Sequence, residues 1–382
     1  MMISSKALEI PPFIVMDVME RALELEQKGE HVIHLEIGEP DFDTPQCIKD
    51  ACCDALCDGE THYTHSLGLL ELREAIAADY EKTYGVRVTP DRILIASGTS
   101  TAMLLLFSAL LEPGDEVILP NPYYPCYPNI IKYVGGVPLF VDVLEEEGFQ
   151  YLPGMISPKI GPRTKGILIN SPSNPTGNLL SGERMEEIAQ FSPPIISDEI
   201  YHGLVYEGEV HTILEYTEDA FVINGFSKLY AMTGWRLGYL IAPKEFIRPM
   251  QRLQQNLFIS PNSFVQLAAI NALQEAEDDV RRMRETYDQR RKFMVKRLRE
   301  LGFGIMVEPT GAFYILANAK RFSGDSYRFA FDILEEAKVG VAPGIDFGTN
   351  AEGFLRFSYA RSMENIVEGM DRLEAYLRRR GK

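Results

Sequence analysis

The chain has 382 residues, of which 46% are hydrophobic and 24% are charged, and its formal net charge is −17. This acidic balance argues against a nucleic-acid partner, which needs a basic face, yet it leaves room for local basic pockets that bind small anions. No apolar run reaches the roughly 18 residues of a membrane-spanning helix, and the first residues, MMISSKALEIPPF, lack the apolar core of a secretory signal. We therefore expect a cytoplasmic protein without a membrane partner.

The first distinctive segment holds four of the five cysteines, which are Cys47, Cys52, Cys53 and Cys57. It contains no C-x-x-C pair, and no neighbouring histidine stands at the spacing of a metal ligand. The pattern favours small buried side chains on a helix over a metal site.

Short β-rich runs alternate with helix-length segments through the middle of the chain. Several of these runs are continuously apolar, as strands covered on both faces should be. Strand–helix alternation of this kind predicts an α/β fold with a mainly parallel sheet and helices on both faces. The seven predicted strands are RILIA (92–96), EVILP (116–120), VPLFVDV (137–143), KGILIN (165–170), PIISD (194–198), AFVING (220–225) and LGYLIA (237–242).

The pattern changes at about Ser263, where one very long helical segment is predicted over residues 263–301. Beyond it, GAFYIL (311–316) and FLRFSYA (354–360) supply new strands, and we expect the N-terminal residues to pack with them. The chain is longer than a usual single core. We therefore predict a large domain at 46–285 and a smaller α+β domain made of 1–45 and 286–382.

Polar residues follow five of the predicted strands, at the edge of an open α/β sheet where ligands bind. Each has an ordinary explanation as a turn residue, a helix cap or a core tyrosine. It is much less expected that all five would meet at one edge of the sheet by chance, so a shared pocket is favoured. The strand ends carry SGTS (97–100), Tyr124, Asn174, Asp198 with Tyr201, and Ser227 with Lys228.

These side chains suit one ligand. SGTS at the start of a helix offers free N–H groups to an anion, and nearby Arg236 suggests that the anion is a phosphate. Taken alone, Lys228 and Arg236 could equally be surface charges at strand ends. A desolvated Lys228 could form a Schiff base as a neutral amine, and Asp198 could keep a pyridine nitrogen protonated. With Tyr124 as a stacking face, the set describes pyridoxal 5′-phosphate.

At these residues the sequence resembles the class I/II aminotransferases, the aspartate aminotransferase-like family of fold-type I enzymes. The resemblance covers nearly the whole chain, and its motifs occur in the same order. They are GEPDFDTP (38–45), YTHSLGLLELREAI (63–76), NSPSNPTG (170–177), SDEIY (197–201), GFSKLYAMTGWRLGY (225–239), PTGAFY (309–314) and LRFSYA (355–360).

The resemblance implies a role for each residue around the cofactor ring. Lys228 would hold pyridoxal phosphate covalently as a Schiff base and later move a proton. Asp198 would pair with the ring nitrogen. Tyr201 and Asn174 would hydrogen-bond the ring hydroxyl oxygen, and Tyr124 would stack on the ring.

The resemblance also implies how the phosphate and the substrate are held. Arg356 would bind the substrate α-carboxylate as a planar fork, and Gly38 would approach that carboxylate through its backbone. Tyr63 would reach the phosphate of a neighbouring subunit, which implies a homodimer with shared sites. The phosphate would be bound by Gly98, Thr99, Ser100, Ser227 and Arg236.

Two positions depart from the family pattern. Gly225 stands where many relatives have a serine that would also touch the phosphate, so that contact is expected to be missing or supplied by water. Ser100 stands where some aspartate-specific relatives have a lysine, which bears on substrate choice.

The resemblance implies an aminotransferase with ping-pong exchange between an L-amino acid and a 2-oxo acid, with 2-oxoglutarate as the expected partner. A carbon–sulfur lyase on the same fold and a non-catalytic ligand-sensing module are the alternatives. The cations that match the family motifs are already assigned: Lys228 to the cofactor aldehyde, Arg236 to the phosphate and Arg356 to the α-carboxylate. In addition, Phe13, Ile14 and Val15 would present an apolar lid. Neutral or aromatic donors are therefore expected in preference to aspartate. Cis peptide bonds are expected at Asn121–Pro122 and Asn174–Pro175.

Overall fold

The computed structural model of the chain describes residues 3–380. Its α-helices are α1 Ser5–Glu9, α2 Ile14–Gln27, α3 Gln46–Cys57, α4 Leu70–Tyr84, α5 Thr99–Leu110, α6 Cys126–Tyr133, α7 Pro153–Ile156, α8 Gly182–Ala189, α9 Lys244–Leu257, α10 Ser263–Glu275, α11 Glu277–Leu301, α12 Ser326–Ala337 and α13 Met363–Arg380. Its strands are β1 Ile33–His34, β2 Ile93–Ala96, β3 Glu116–Asn121, β4 Val137–Asp142, β5 Thr164–Asn170, β6 Ile195–Asp198, β7 Ala220–Gly225, β8 Gly238–Ile241, β9 Tyr314–Asn318, β10 Val339–Gly340, β11 Ala342–Pro343 and β12 Phe354–Ser358.

A seven-stranded sheet forms the centre of the molecule, in the order β2-β8-β7-β6-β5-β3-β4. Strand β8 runs antiparallel to both of its neighbours, and the remaining pairs are parallel. The predicted mainly parallel sheet is therefore confirmed, and each of the seven predicted runs is one of its strands.

The sheet is covered on both faces because successive residues of its strands are apolar. Ile93 and Ile95 pack in a cluster with buried residues of α3, α4, α8 and α10. Leu94 and Ala96 pack in a second cluster with residues of α5, α6 and α9. Side chains alternate between the faces of a strand, so a continuous apolar run buries both.

The N-terminal residues pack with the C-terminal part, as expected. Strand β1 pairs in parallel with β10, with Ile33 opposite Val339, and α2 contacts β11 and α12. Strands β11, β12 and β9 form a small antiparallel sheet. The division into 46–285 and 1–45 with 286–382 stays a prediction, and its second boundary falls inside α11.

The single long helix predicted over 263–301 is wrong, because the segment breaks at Ala276 into α10 and α11. Ala276 is fully buried and has φ −91° and ψ 12°, outside the helical geometry. The three acidic residues at 277–279 then form the first turn of α11. Negative side chains are favourable at a helix N-terminus, which is consistent with a new helix beginning there.

The cysteine prediction is confirmed only in part. All four residues lie on α3, but Cys47 and Cys52 are half-buried while Cys53 and Cys57 are exposed. Two of these side chains therefore face outward, because an amphipathic helix at the surface buries only one stripe. Within residues 3–380, no cluster of three or more His, Cys, Asp or Glu residues is arranged for a metal ion, and no helix is both long and apolar enough to cross a membrane.

Candidate active site

A cavity of about 220 Å³ lies at the carboxyl ends of β5, β6 and β7, beside the small antiparallel sheet. Eight of the predicted site residues line it, which are Gly38, Thr99, Tyr124, Asn174, Asp198, Tyr201, Lys228 and Arg356. Residues that the sequence did not single out complete the lining, and they are Met16, Ile37, Tyr127, Asn170, Ile200 and Tyr314, with Phe13 and Val15 from the predicted lid.

Asp198 ends β6 and is only 4% exposed. The Tyr127 hydroxyl donates to its Oδ2 at 2.6 Å, and the Ile200 N–H donates to its Oδ1 at 3.1 Å. Burial raises the pKa of Asp198 to about 6, although these two donors and the charge of Lys228 oppose that rise. The site therefore holds a buried carboxylate that is stabilised by two donors and is ionised at neutral pH.

Lys228 follows β7, and its Nζ donates to the Gly38 carbonyl oxygen at 2.7 Å. The pKa of this lysine is lowered to about 8, mainly by desolvation and also by the charges of Arg356 and Arg236, while Glu39 and Asp198 act in the opposite direction. A substantial fraction of the amine is therefore neutral near pH 8, the state in which an amine acts as a nucleophile.

Arg356 lies in the middle of β12 and is 2% exposed. Its Nη1 donates to Asn174 Oδ1 at 2.9 Å, and its Nη2 donates to the Glu36 carbonyl oxygen at 2.5 Å. The guanidinium lies 4.3 Å from the ring centroid of Tyr314 and 4.6 Å from that of Phe347. Its hydrogen-bond partners are an amide and a carbonyl oxygen, and its buried Nε has none. The charge can therefore receive an anion from the cavity.

Gly38 comes so close to Tyr314 that a Cβ at this position would overlap the tyrosine hydroxyl. Only glycine lets the backbone approach in this way, and the approach places the Gly38 carbonyl next to Lys228. The Tyr314 hydroxyl also lies 2.9 Å from the Tyr201 hydroxyl. One tyrosine thus contacts Gly38, Tyr201 and the face of Arg356.

Gly98 and Arg236, two of the residues predicted to bind a phosphate, lie close together at the start of α5. Gly98 precedes the helix with φ +90°, and a Cβ there would lie 2.5 Å from Nη2 of Arg236. The unpaired N–H groups of the first helical turn and the guanidinium therefore lie side by side, an arrangement that suits a phosphate. Thr99 lines the cavity, Ser227 is buried next to Lys228, and Ser100 is exposed.

Some predicted residues do not meet the cavity within one chain. Tyr63 is 82% exposed and is absent from the lining, as are Gly98, Ser100, Ser227 and Arg236. Ile14 of the predicted lid is also outside the lining, and Met16 is part of it instead. The expected cis bonds at Asn121–Pro122 and Asn174–Pro175 are present, and Ser171–Pro172 is a third, unpredicted one.

The residues that sequence reasoning missed mostly lie beside those that it found. Asn170 donates through Nδ2 to the Asp198 carbonyl oxygen at 2.9 Å and accepts from the Asn174 N–H at 2.8 Å. It ends a predicted strand, so its position at the sheet edge was an available signal. Tyr127 and Tyr314 carry no such signal, because a tyrosine in an apolar segment is typical of a core.

The donor set fits pyridoxal phosphate. The anion-binding position beside Gly98 leaves room that a Cβ would fill. The buried acid Asp198 faces the same cavity as Lys228, whose pKa is lowered, and Arg356 can accept a carboxylate. An anion-binding site, an acid and an amine are the groups that this cofactor requires.

Comparisons with known proteins identify the family. The family model for aminotransferase class I and II matches residues 30–373. A (5-formylfuran-3-yl)methyl phosphate transaminase of Methanocaldococcus jannaschii is 43% identical over 98% of this chain and 100% of its own length. An aspartate/prephenate aminotransferase of Thermus thermophilus is 39% identical over 99% of each chain.

A solved structure points the same way. The aspartate aminotransferase from Thermus thermophilus with maleate superimposes with a TM-score of 0.94 at 39% identity, over 98% of this chain and 99% of that one. Since the family model, the relatives and the fold agree over nearly the full length, this chain belongs to the class I and II aminotransferases, which depend on pyridoxal phosphate.

Proposed function

We propose that this aminotransferase moves an amino group from a neutral or aromatic L-amino acid to a 2-oxo acid, with 2-oxoglutarate as acceptor, in a ping-pong reaction. The observation that supports this most strongly is the meeting of Lys228, Asp198 and Arg356 in one cavity whose remaining lining is uncharged. An amine of lowered pKa, a buried acid and an available guanidinium are the minimum that amino transfer requires from the protein.

The roles proposed around the ring are those that the resemblance implies, and the lining of the cavity is consistent with them. When bound, pyridoxal phosphate supplies an electron sink for the charge that develops at the substrate Cα. Asp198, ionised above its pKa of about 6, would hold a proton at the ring nitrogen. Lys228 would attach the cofactor and then carry the proton to and from the Cα. Tyr201 and Asn174 would hydrogen-bond the ring hydroxyl oxygen, and Tyr124 would cover the ring face.

The start of α5 would hold the phosphate, because it combines backbone N–H groups with a guanidinium. Tyr63 would reach the phosphate of a second copy, as the resemblance implies, and its 82% exposure in the single chain leaves it available for that contact. The enzyme is therefore proposed to act as a homodimer with shared sites. Its cytoplasmic location stays a prediction. The residues assigned to the phosphate are Gly98, Thr99, Ser100, Ser227, Arg236 and Tyr63.

Arg356 binds the substrate α-carboxylate as a fork, with Gly38 and Asn174 beside it. A dicarboxylic donor needs a further cation, because an unpaired buried carboxylate costs several kcal/mol. Among the residues that line the cavity in the described part of the chain, the cations are Lys228 and Arg356, and both are already assigned. The distal carboxylate of 2-oxoglutarate has the same need, and a cation from the partner subunit would have to meet it. Because donor and acceptor occupy the same site in turn, the expected preference for neutral or aromatic donors rests on the apolar wall rather than on the number of cations.

The wall next to the substrate side chain is apolar. Phe13, Val15 and Met16 line the cavity from the start of α2, and the ring of Phe13 meets that of Tyr124 edge-on at 6.1 Å. Such a wall stabilises an alkyl or aromatic side chain by removing its surface from water. The relatives differ in the substrate that their names state, so family membership alone does not select the donor.

The test of the chemistry uses the purified enzyme and Lys228→Ala. The enzyme should carry a pH-sensitive visible band that borohydride bleaches, and amino acids added singly should convert the cofactor to its amine form. Lys228→Ala should fold but lose both properties. Normal turnover by that variant would refute the assignment, and release of a β-substituent without amine formation would instead indicate a lyase.

The test of the donor compares kcat/KM for alanine, phenylalanine, tyrosine and aspartate with one acceptor. We expect aspartate to be the poorest of the four. A preference for aspartate of tenfold or more, about 1.4 kcal/mol of transition-state binding, would refute this part of the proposal while leaving the chemistry intact.

A further inference from the structure

Asp346 joins two segments that are distant in the chain. It lies in the short turn Gly344–Phe347, directly after β11, and is 8% exposed. Its Oδ1 accepts a hydrogen bond from the Ile14 N–H at 3.0 Å, and its Oδ2 accepts one from the Val15 N–H at 3.1 Å. These donors stand in the first turn of α2.

The first turn of α2 has no cap of its own. Its N-cap residue is Phe13, whose side chain makes no capping hydrogen bond and has no acceptor to offer. The first N–H groups of a helix lack partners within the helix, and Asp346 satisfies two of them from another part of the chain. Burial raises the pKa of Asp346 to about 6, and the two N–H donors and the charge of Arg356 oppose that rise. Above that pH the two hydrogen bonds are charge-assisted, and a carboxylate is favourable at this end of the helix dipole.

The same turn forms the apolar wall of the cavity, which we define as the side chains of Phe13, Val15 and Met16. On its other side, Asp346 is connected to the Arg356 site. Strand β11 pairs with β12 so that Ala342 stands opposite Arg356, and Phe347 lies 4.6 Å from the Arg356 guanidinium. One carboxylate thus links the wall to the residue that receives the substrate α-carboxylate.

We propose that Asp346 is a positioning residue that holds the apolar wall at a set distance from Arg356 and thereby determines selectivity for donors with apolar side chains. When a donor binds through its α-carboxylate at Arg356, its covalent geometry sets the distance from Arg356 to its side chain. Contact with the apolar wall stabilises the bound donor only if the wall lies at that same distance from Arg356. This inference rests on the proposed function, since it assumes that donors bind with their α-carboxylate at Arg356.

The principal variant is Asp346→Asn, which keeps the shape of the side chain. An amide has one acceptor oxygen and presents an NH2 group to the other N–H donor, so one hydrogen bond is lost and the second is no longer charge-assisted. We expect the KM for phenylalanine to rise roughly tenfold, the factor that corresponds to losing one such bond. The kcat for phenylalanine and the kcat/KM for aspartate should change much less, so the ratio of the two kcat/KM values falls.

The matched control is Asp17→Asn, in the first turn of the same helix. It removes a charge of the same sign from the same helix end but none of the hydrogen bonds to Ile14 and Val15. We expect it to leave the phenylalanine to aspartate ratio unchanged. If Asp17→Asn lowered this ratio as much as Asp346→Asn does, the loss of negative charge alone would explain the change in selectivity. That result would overturn the proposal.

A second variant probes the donor side of the contact. Ile14 is the first residue of α2, a position at which proline is well tolerated. Phe13 before it is extended, with φ −87° and ψ 99°, and proline biases the preceding residue toward extended backbone. Ile14→Pro removes one of the two N–H donors, and we expect the phenylalanine KM to rise in the same sense as in Asp346→Asn.

Hydrogen exchange provides a readout that needs no turnover. The Val15 amide should exchange faster in Asp346→Asn than in the wild-type holoenzyme, and at the wild-type rate in Asp17→Asn. Unchanged exchange together with an unchanged phenylalanine to aspartate ratio would overturn the proposal. A wild-type enzyme that prefers aspartate would refute the proposed donor only, because the exchange rate and the KM changes of the variants would still report on Asp346.

Discussion

Replacing Asp198 by asparagine should change stability and activity in opposite directions. The carboxyl is buried, and burial raises its pKa from an ordinary value of 3.8 to about 6. The folded cofactor-free protein therefore binds this proton more tightly than the unfolded chain does. Between about pH 4 and 6, the free energy of unfolding should fall as the pH rises, because the carboxylate becomes charged in a site that disfavours it.

The magnitude follows from the two pKa values. A difference of one unit corresponds to about 1.4 kcal/mol, so the interval from 3.8 to about 6 corresponds to about 3 kcal/mol above pH 6. Asparagine has the same shape and no charge. Its oxygen can still accept from the Ile200 N–H, and its NH2 group can donate to the Tyr127 hydroxyl, which is able to accept.

We therefore expect cofactor-free Asp198→Asn to be more stable than cofactor-free wild type by up to about 3 kcal/mol near pH 8, with the gain vanishing near pH 4. Urea unfolding of both proteins across this pH range measures the difference. Tyr127→Phe is the control, because it removes a donor and keeps the charge, so it should be destabilising at pH 8. Turnover of Asp198→Asn should fall on the order of 100-fold or more, since a stabilising charge is removed from the reacting ring.

Two outcomes would refute this reasoning. Asp198→Asn could be less stable than the wild type at pH 8, which would mean that the ionised carboxylate stabilises the folded protein. Alternatively, the difference in stability could be the same at every pH, which would mean that it does not arise from titration of this carboxyl.

Two further substitutions test the anion sites. Arg356→Lys should raise the KM for amino acids at least tenfold with cofactor content near normal, because a point charge cannot replace a planar fork; an equal loss of cofactor, measured by absorbance, would place Arg356 in the phosphate site instead. Gly98→Ala should weaken cofactor binding roughly tenfold in a titration of the cofactor-free enzyme, because the added Cβ would meet Arg236 at 2.5 Å and φ is +90°; unchanged affinity would show that the phosphate binds elsewhere.

Much of the fold could be predicted because its signals are local. An apolar run bounded by turn residues marks a strand in its own stretch of chain, and all seven central strands were found in this way. The break at Ala276 was missed, since alanine favours helices and the residue that ends a helix there is set by packing. The exposure of Cys53 and Cys57 was missed for a related reason, because a helix pattern does not state which stripe is covered.

The candidate site shows the same division between local and distant information. Asp198 was found because it ends a strand, and Lys228 and Asn174 because they closely follow one, where a parallel sheet presents its ligand-binding edge. Tyr127 and Tyr314 were not singled out, because an ordinary core tyrosine has the same sequence signature. Their roles appear only in the hydrogen bonds to Asp198 and Tyr201.

By itself, then, the sequence determined the strands, the helices between them and the side chains that stand at the strand ends. The tertiary structure decided which of these meet. Arg356 bonds to Asn174 across 182 residues of chain, and Asp346 bonds to Ile14 across 332. Strand β8 is inserted antiparallel between β2 and β7. Periodicity states which face of an element is apolar but not which element covers it, because that choice depends on burying all the apolar faces at once.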